Sequence, residues 1–332
     1  MRVSELPIRI LDSVPSEPVL SVDGAWDAPG LNLSHWPGNR TPPELRHDLS
    51  TGIALNFARL PEARQSELAR GCTALANNHY DTDGVLALFA LARPEQALAH
   101  EAFLLEAAAA GDLFRFPGER AFALDALITS LGRGQGSAAG REAVVRDLIQ
   151  RLPSILAGGL EQRSAHWKPE LERLQADLAA LRGAAHDEIV HLELAVWSSE
   201  RPLDPGRHAL FGTSALDRAL VLERGREGTR ARLVVNTSSW FDLVSRPALP
   251  RPDLEALAAR LNELEALGPE AEVAWRTQRA DNPAPELWFG TRELESFAEH
   301  NAAQAHSRLD PVLIKRTVLE SLRAAWVFPD GE

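Results

Sequence analysis

A chain of 332 residues exceeds what one ordinary hydrophobic core organises and points to two domains. Its formal net charge of -12, from 47 acidic against 35 basic residues, excludes a general nucleic-acid binder, whose affinity rests on Lys and Arg neutralising phosphates. The single cysteine, Cys72, excludes an intramolecular disulfide and any multi-cysteine zinc site, in keeping with a reducing compartment.

No run approaches the roughly 18 to 20 apolar residues of a membrane span. The opening MRVSELPIRILDS has neither a basic nor an apolar leader segment. The expectation is a cytoplasmic protein without membrane contact. Among the basic residues only Lys168 and Lys315 are lysines. The arginine fork suits carboxylate or phosphate, although a coding bias produces the same Arg- and Ala-rich composition.

In chain order, Arg2 to Leu33 is turn-rich, with short strand-like runs at Pro18 to Val22 and Leu31 to Leu33. The segment LSHWPGNRTPPELRHDLS then gathers His35, Trp36 and Arg40 around Pro37, Gly38, Pro42 and Pro43, which excludes a long helix or a central strand. Thr41 before two prolines reads as a helix cap. His35, Trp36 and Arg40 are candidates for a lip that binds an anionic substrate, and a plain surface loop pinned by Trp36 is the alternative.

A short, mostly apolar run, Cys72 to Ala76, ends in Asn77, Asn78 and His79. Beyond Gly84 a helical pattern follows through Val85, Leu88, Phe89 and Leu91. This reads as strand, loop, helix, and ligands bind in loops at the carboxyl ends of strands in α/β sheets. Pro94 to Ala110 reads as one helix closed by Gly111, leaving Asp112 on a loop. Ala121 to Leu131, Arg141 to Leu156 and Pro169 to Leu181 read as further helices, with a flexible connection at Gly132 to Gly140.

HDEIVHLELAVW alternates as a half-buried strand. His208 to Phe211, Ala219 to Glu223, Arg232 to Asn236, Val273 to Arg276 and Leu287 to Phe289 are further strand candidates, and RGREGT is a hairpin turn. A leucine-faced helix spans Asp253 to Leu267, and another starts at Asp310 and Pro311. Trp197, Trp240, Trp275 and Trp288 are candidates for the C-terminal core. The fold class expected is α/β: an N-terminal sheet with flanking helices, residues 1–183, plus a smaller C-terminal α+β domain, residues 184–332.

The chemistry concentrates at Leu75 to Leu88, LANNHYDTDGVLAL. On extended backbone His79, Asp81 and Asp83 project to one side. Imidazole and carboxylate suit hard to borderline divalent ions such as Mn²⁺ and Mg²⁺. A turn closed by Asp and Asn side chains is the plainer reading.

NNHYDTDGVLAL resembles the first motif of the DHH phosphoesterase superfamily, a strand ending in His-x-Asp-x-Asp-Gly that binds a pair of Mn²⁺ or Mg²⁺ ions. The resemblance implies a DHH-like fold and phosphoester hydrolysis by a metal-bound hydroxide. His79, Asp81 and Asp83 would be catalytic metal ligands. Asp112 would be the isolated aspartate of the second motif, which commonly bridges the metals. The Asp-His-His triplet itself is absent, and His186-Asp187 is the nearest substitute. The likeness covers Arg70 to Leu113, and the chain is also similar overall to a group of uncharacterised bacterial proteins.

The partners expected are a small anionic substrate and no nucleic acid, with a homodimer left open. Two other functions stand beside the hydrolase. One is a non-catalytic binding or scaffold protein on the same fold. The other is a di-iron oxidase built on Glu44-x-x-His47 and Glu188-x-x-His191.

Overall fold

A computed structural model of the chain describes residues 2–247, 249–268, 270–279, 281–291 and 304–325. By compactness the chain divides into two units, Met1–Arg173 with Phe241–Ala248, and Leu174–Trp240 with Leu249–Glu332.

The first unit is built on a four-stranded parallel sheet in the order β1-β4-β2-β3, with β1 Ile8–Ile10, β2 Val19–Val22, β3 Gly30–Leu33 and β4 Leu75–Asn77. Leu20 lies opposite both Leu31 and Leu75, so β2 holds the middle of the register. Every residue of β2 and β4 is buried, as expected of parallel strands covered on both faces. Its helices are α1 Ser50–Ala58, α2 Glu62–Leu68, α3 Thr82–Ala92, α4 Pro94–Ala99, α5 Glu101–Leu113, α6 Glu119–Gly132 and α7 Ala138–Ser154; α8, Lys168–Arg182, follows.

The strand, loop and helix expected around His79 are formed by β4 and α3. Each side chain from Val85 to Leu91 is buried, so α3 is a central helix, apolar all round, packed against α1 and α5. Two local expectations change. The run from Pro94 is broken at His100 into α4 and α5. Helix α5 continues through Gly111 and Asp112 to Leu113 and ends on Phe114 in the left-handed conformation, φ 51°. Asp112 is therefore helical, not on a loop.

Gly111 serves close approach and not termination. A Cβ there would stand 2.9 Å from Thr82 Cβ and 3.0 Å from Asp125 Oδ1. Thr41, expected as a helix cap, instead closes a turn: its hydroxyl donates to Ser34 O at 2.7 Å and accepts from Ser34 N at 2.8 Å. Only a 3₁₀ turn, Pro43–Leu45, follows it.

The second unit holds a mixed six-stranded sheet in the order β5-β6-β7-β8-β10-β9. Its strands are β5 Ala185–Ile189, β6 Leu194–Ser199, β7 Arg218–Arg224, β8 Thr229–Val235, β9 Ala274–Thr277 and β10 Glu286–Gly290. β6 and β7 run parallel and the other pairs antiparallel. That parallel pair accounts for a misread element: parallel neighbours need a crossover, so His208 to Phe211 lies in helix α9, Arg207–Thr213, not in a strand.

HDEIVHLELAVW is likewise two strands, β5 and the start of β6. A 3₁₀ turn at Val190–Leu192 and Glu193 at φ 51° separate them. The hairpin at RGREGT is present, with Arg224 paired to Thr229. Helices α10, Leu254–Leu264, and α11, Pro311–Ala325, complete the core. Leu257 and Leu261 of α10 and Val318 of α11 join Leu194, Leu220 and Leu233 of the sheet. Trp197, Trp275 and Trp288 are buried and Trp240 is half-buried.

The fold class is thus α/β, as read: a parallel four-stranded sheet with helices, then a mixed six-stranded sheet with helices. Among the described residues no helix is long and apolar enough to cross a membrane.

Candidate metal centre

Three adjacent strands, β4, β2 and β3, direct their carboxyl ends to one edge of the first sheet. Asp23 follows β2 at once, while His35 and His79 stand two residues beyond β3 and β4. This is where an open α/β sheet binds ligands. Asp23 sits at φ 66°, a left-handed turn that aspartate tolerates better than most residues.

Helix α3 adds two more carboxylates. Asp81 is its N-cap, accepting from Gly84 N at 2.8 Å. Asp83 lies in the first turn, where its Oδ2 and Oδ1 accept from Ser50 N at 2.6 Å and Thr51 N at 2.8 Å. Asp112 arrives from the last turn of α5.

These six side chains form two groups that could hold a metal, Asp23-His35-Asp83-Asp112 and Asp23-His79-Asp81, in each of which the ligand atoms all lie within 4.8 Å of one another. Asp23 belongs to both. In the first, His35 Nε2 is 3.1 Å from Asp112 Oδ2, 3.5 Å from Asp23 Oδ1 and 3.8 Å from Asp83 Oδ2. In the second, His79 Nε2 is 2.9 Å from both Asp23 Oδ2 and Asp81 Oδ2. The first group is buried, whereas the His79 and Asp81 side chains keep 28% and 35% of their exposure, so the second group opens to solvent.

The hydrogen bonds behind the imidazoles decide which nitrogen is presented. His35 Nδ1 lies 2.6 Å from Asp48 O, and because a carbonyl only accepts, that nitrogen carries the proton. His79 Nδ1 is held in the same way by Asn78 Oδ1 at 2.6 Å. With Nδ1 protonated, Nε2 is the nitrogen each ring turns toward the carboxylates: it carries a proton when the ring is charged and would offer a lone pair to a metal when the ring is neutral, the arrangement of a metal-ligating histidine. His35 Nε2 and Asp23 Oδ2 are buried and complete no well-aligned hydrogen bond, although carboxylate and imidazole neighbours lie 3.1 and 2.9 Å away, which fits donor atoms arranged around a cation.

The donor set is all nitrogen and oxygen, which suits hard to borderline divalent ions. Gly84 keeps the space open, since a Cβ there would lie 3.0 Å from Asp23 Oδ2 and from Asp81 Oδ1.

Without an ion, protons balance the crowded charges of the cluster. Burial pushes the Asp112 carboxyl well above the usual range, and Asp83 and Asp81 push it further. Burial and Asp23 raise Asp83 to about 6, against the pull of His35 and Thr51. Burial and Asp23 also raise Asp81. Burial opposes charge on His35, but Asp112, Asp23 and Asp83 outweigh it and hold the ring well above its ordinary value. Asp81 and Asp23 do the same for His79. Asp23 goes the other way: burial favours its neutral form, yet His79 and His35 keep its carboxyl well below the usual range.

Of the ligands read from the sequence, His79, Asp81, Asp83 and Asp112 come together here. The three motif residues do not share one side, because the helix starts at Thr82 and turns Asp83 into the buried group. Asp23, which sequence reasoning missed, takes the shared position expected of Asp112. The signal available was an acidic residue directly after a strand-like run.

His35 is not a surface lip residue but a buried member of the cluster. Trp36 is half-buried beside it, its ring 5.3 Å from that of His79. Arg40 is exposed and donates to Ala28 O.

His186 and Asp187, offered as the triplet substitute, belong to neither group. They lie on β5, where His186 stacks on Trp197 and Asp187 pairs with Lys315 at 2.7 Å. The Glu-x-x-His pairs of the di-iron reading are not helical either: Glu188 is in β5, His191 in a 3₁₀ turn, and Glu44 in a 3₁₀ turn where it pairs with Arg64.

No match is found among curated proteins. Residues 8–331 match one family along nearly the whole chain, and the protein belongs to it: the family of unknown function DUF6687.

Proposed function

We propose that the protein is a divalent-metal-dependent hydrolase acting on a small phosphoester, with Mn²⁺ or Mg²⁺ as its ions. The observation that carries this reading is Asp23, a carboxylate common to two adjacent ligand groups at the carboxyl ends of parallel strands. The likeness of His79-x-Asp81-x-Asp83-Gly84 to the first metal motif of the DHH phosphoesterases supports the substrate class.

A pair of ions at this position would supply charge neutralisation at a phosphoryl group and a nucleophile near neutral pH. The chain's own residues divide the work. His35, Asp83 and Asp112 form the closed half with Asp23, and His79 and Asp81 form the half that substrate reaches. Trp36 borders that open half. Arg40, exposed on the loop that carries His35 and Trp36, is the cation we assign to the substrate's negative charge.

The test is hydrolysis of p-nitrophenyl phosphate and bis-p-nitrophenyl phosphate with Mn²⁺ and after chelation. The expected result is activity that chelation abolishes and that Asp81→Asn and Asp83→Asn each reduce by at least roughly 100-fold. Metal-loaded protein that turns over neither ester would contradict the hydrolase and favour a binding protein on the same fold.

A further inference from the structure

After β8 and the 3₁₀ turn Thr237–Ser239, the chain leaves the second unit, contributes Phe241–Ala248 to the first, and returns to the second at Leu249. This short excursion converges on one imidazole. Phe241 is buried and stacks on His35 with ring centroids 3.9 Å apart and planes 17° from parallel. Asp242 N donates to His35 O at 2.7 Å. Val244 N and Ser245 N donate to Asp48 Oδ1 at 2.7 and 2.9 Å, and Asp48 is the residue whose carbonyl fixes the His35 tautomer. The ring face, the main chain and the tautomer-setting neighbour of His35 are thus all held by residues 241–245. His79, by contrast, has its Nδ1 fixed by Asn78.

We propose that Phe241 and Asp48 are positioning residues for His35, so that docking of segment 241–245 and metal occupancy of the buried Asp23-His35-Asp83-Asp112 group are one coupled equilibrium. This rests on the metal reading above. Partners behind a metal ligand set its orientation, and their loss typically lowers affinity about 10- to 100-fold. Coupling is reciprocal: an ion that needs His35 in place must also tighten the segment that places it.

The experiment combines Mn²⁺ titration calorimetry with hydrogen exchange on the full chain. Wild type should bind two ions, and Mn²⁺ should slow exchange at Asp242, Val244 and Ser245. Phe241→Ala and Asp48→Ala should each weaken one of the two ions about 10- to 100-fold and leave the other. Phe241→Tyr, which keeps the stack, should retain both, as should Val244→Ala, whose side chain is exposed. If Phe241→Ala fails to fold, Asp48→Ala decides, because it spares the buried ring. Wild-type affinity for both ions in Asp48→Ala, or exchange indifferent to Mn²⁺, overturns the coupling and leaves the metal reading standing. A wild-type protein that binds no Mn²⁺ overturns both.

Discussion

Asp23 carries more of the site than any other residue, because each ligand group includes it. Asp23→Asn should therefore abolish uptake of both ions, whereas Asp112→Asn, which touches only the buried group, should spare the half formed by His79 and Asp81. Elemental analysis after dialysis against Mn²⁺ distinguishes the two, and equal losses from both variants would contradict the shared position. His79, Asp81 and Asp83 were legible from their spacing. Asp23 was not, because Val22-Asp23-Gly24 reads as an ordinary turn and its role arises only when β2 pairs with β4, about fifty residues later. His35 was seen but misplaced: Trp36, Pro37 and Gly38 mark a surface turn, and nothing in the sequence says that the turn begins one residue after the histidine.

At the scale of elements, the strand and helix around the motif were legible from an apolar run, a polar break and a second apolar run. Elements set by their neighbours were not. Gly111 looked like a helix end but is a contact point where α5 meets Thr82 of α3 and Asp125 of α6, whose side chains are themselves hydrogen-bonded at 2.5 Å. Helix α9 looked like a strand because its short apolar run does not reveal that β6 and β7 are parallel. The glycine makes its own prediction. Gly111→Ala should push α5 from α3, destabilise the fold by about 1–3 kcal/mol, and weaken the buried half of the metal site by shifting Asp112. Urea unfolding and Mn²⁺ titration read the two effects. An alanine variant of unchanged stability and affinity would show that the approach is not tight.

For the molecule as a whole, the cluster sets how stability depends on pH. Asp83 rises from 3.8 to about 6 on folding, a change of about 3 kcal/mol. Its contribution is complete below the unfolded value and is lost as pH rises through 6. Asp81 and Asp112 are also raised, and His35 and His79 lie above their ordinary 6.5, so all four act in the same direction. Asp23, depressed on folding, contributes stability above 3.8 that only strong acid removes. Metal-free protein should thus melt at a lower temperature at pH 8 than at pH 5. Excess Mn²⁺ should reverse the order, because ions displace the protons and stabilise the folded chain by mass action. A metal-free melting temperature that rises from pH 5 to pH 8 would contradict the proton-held cluster.

Anomalous diffraction from crystals soaked in Mn²⁺ shows whether Asp23 joins two metal sites. Two peaks are expected, one beside Asp23, His79 and Asp81 and the other beside Asp23, His35, Asp83 and Asp112. Saturated crystals with no peak at Asp23 would contradict this expectation.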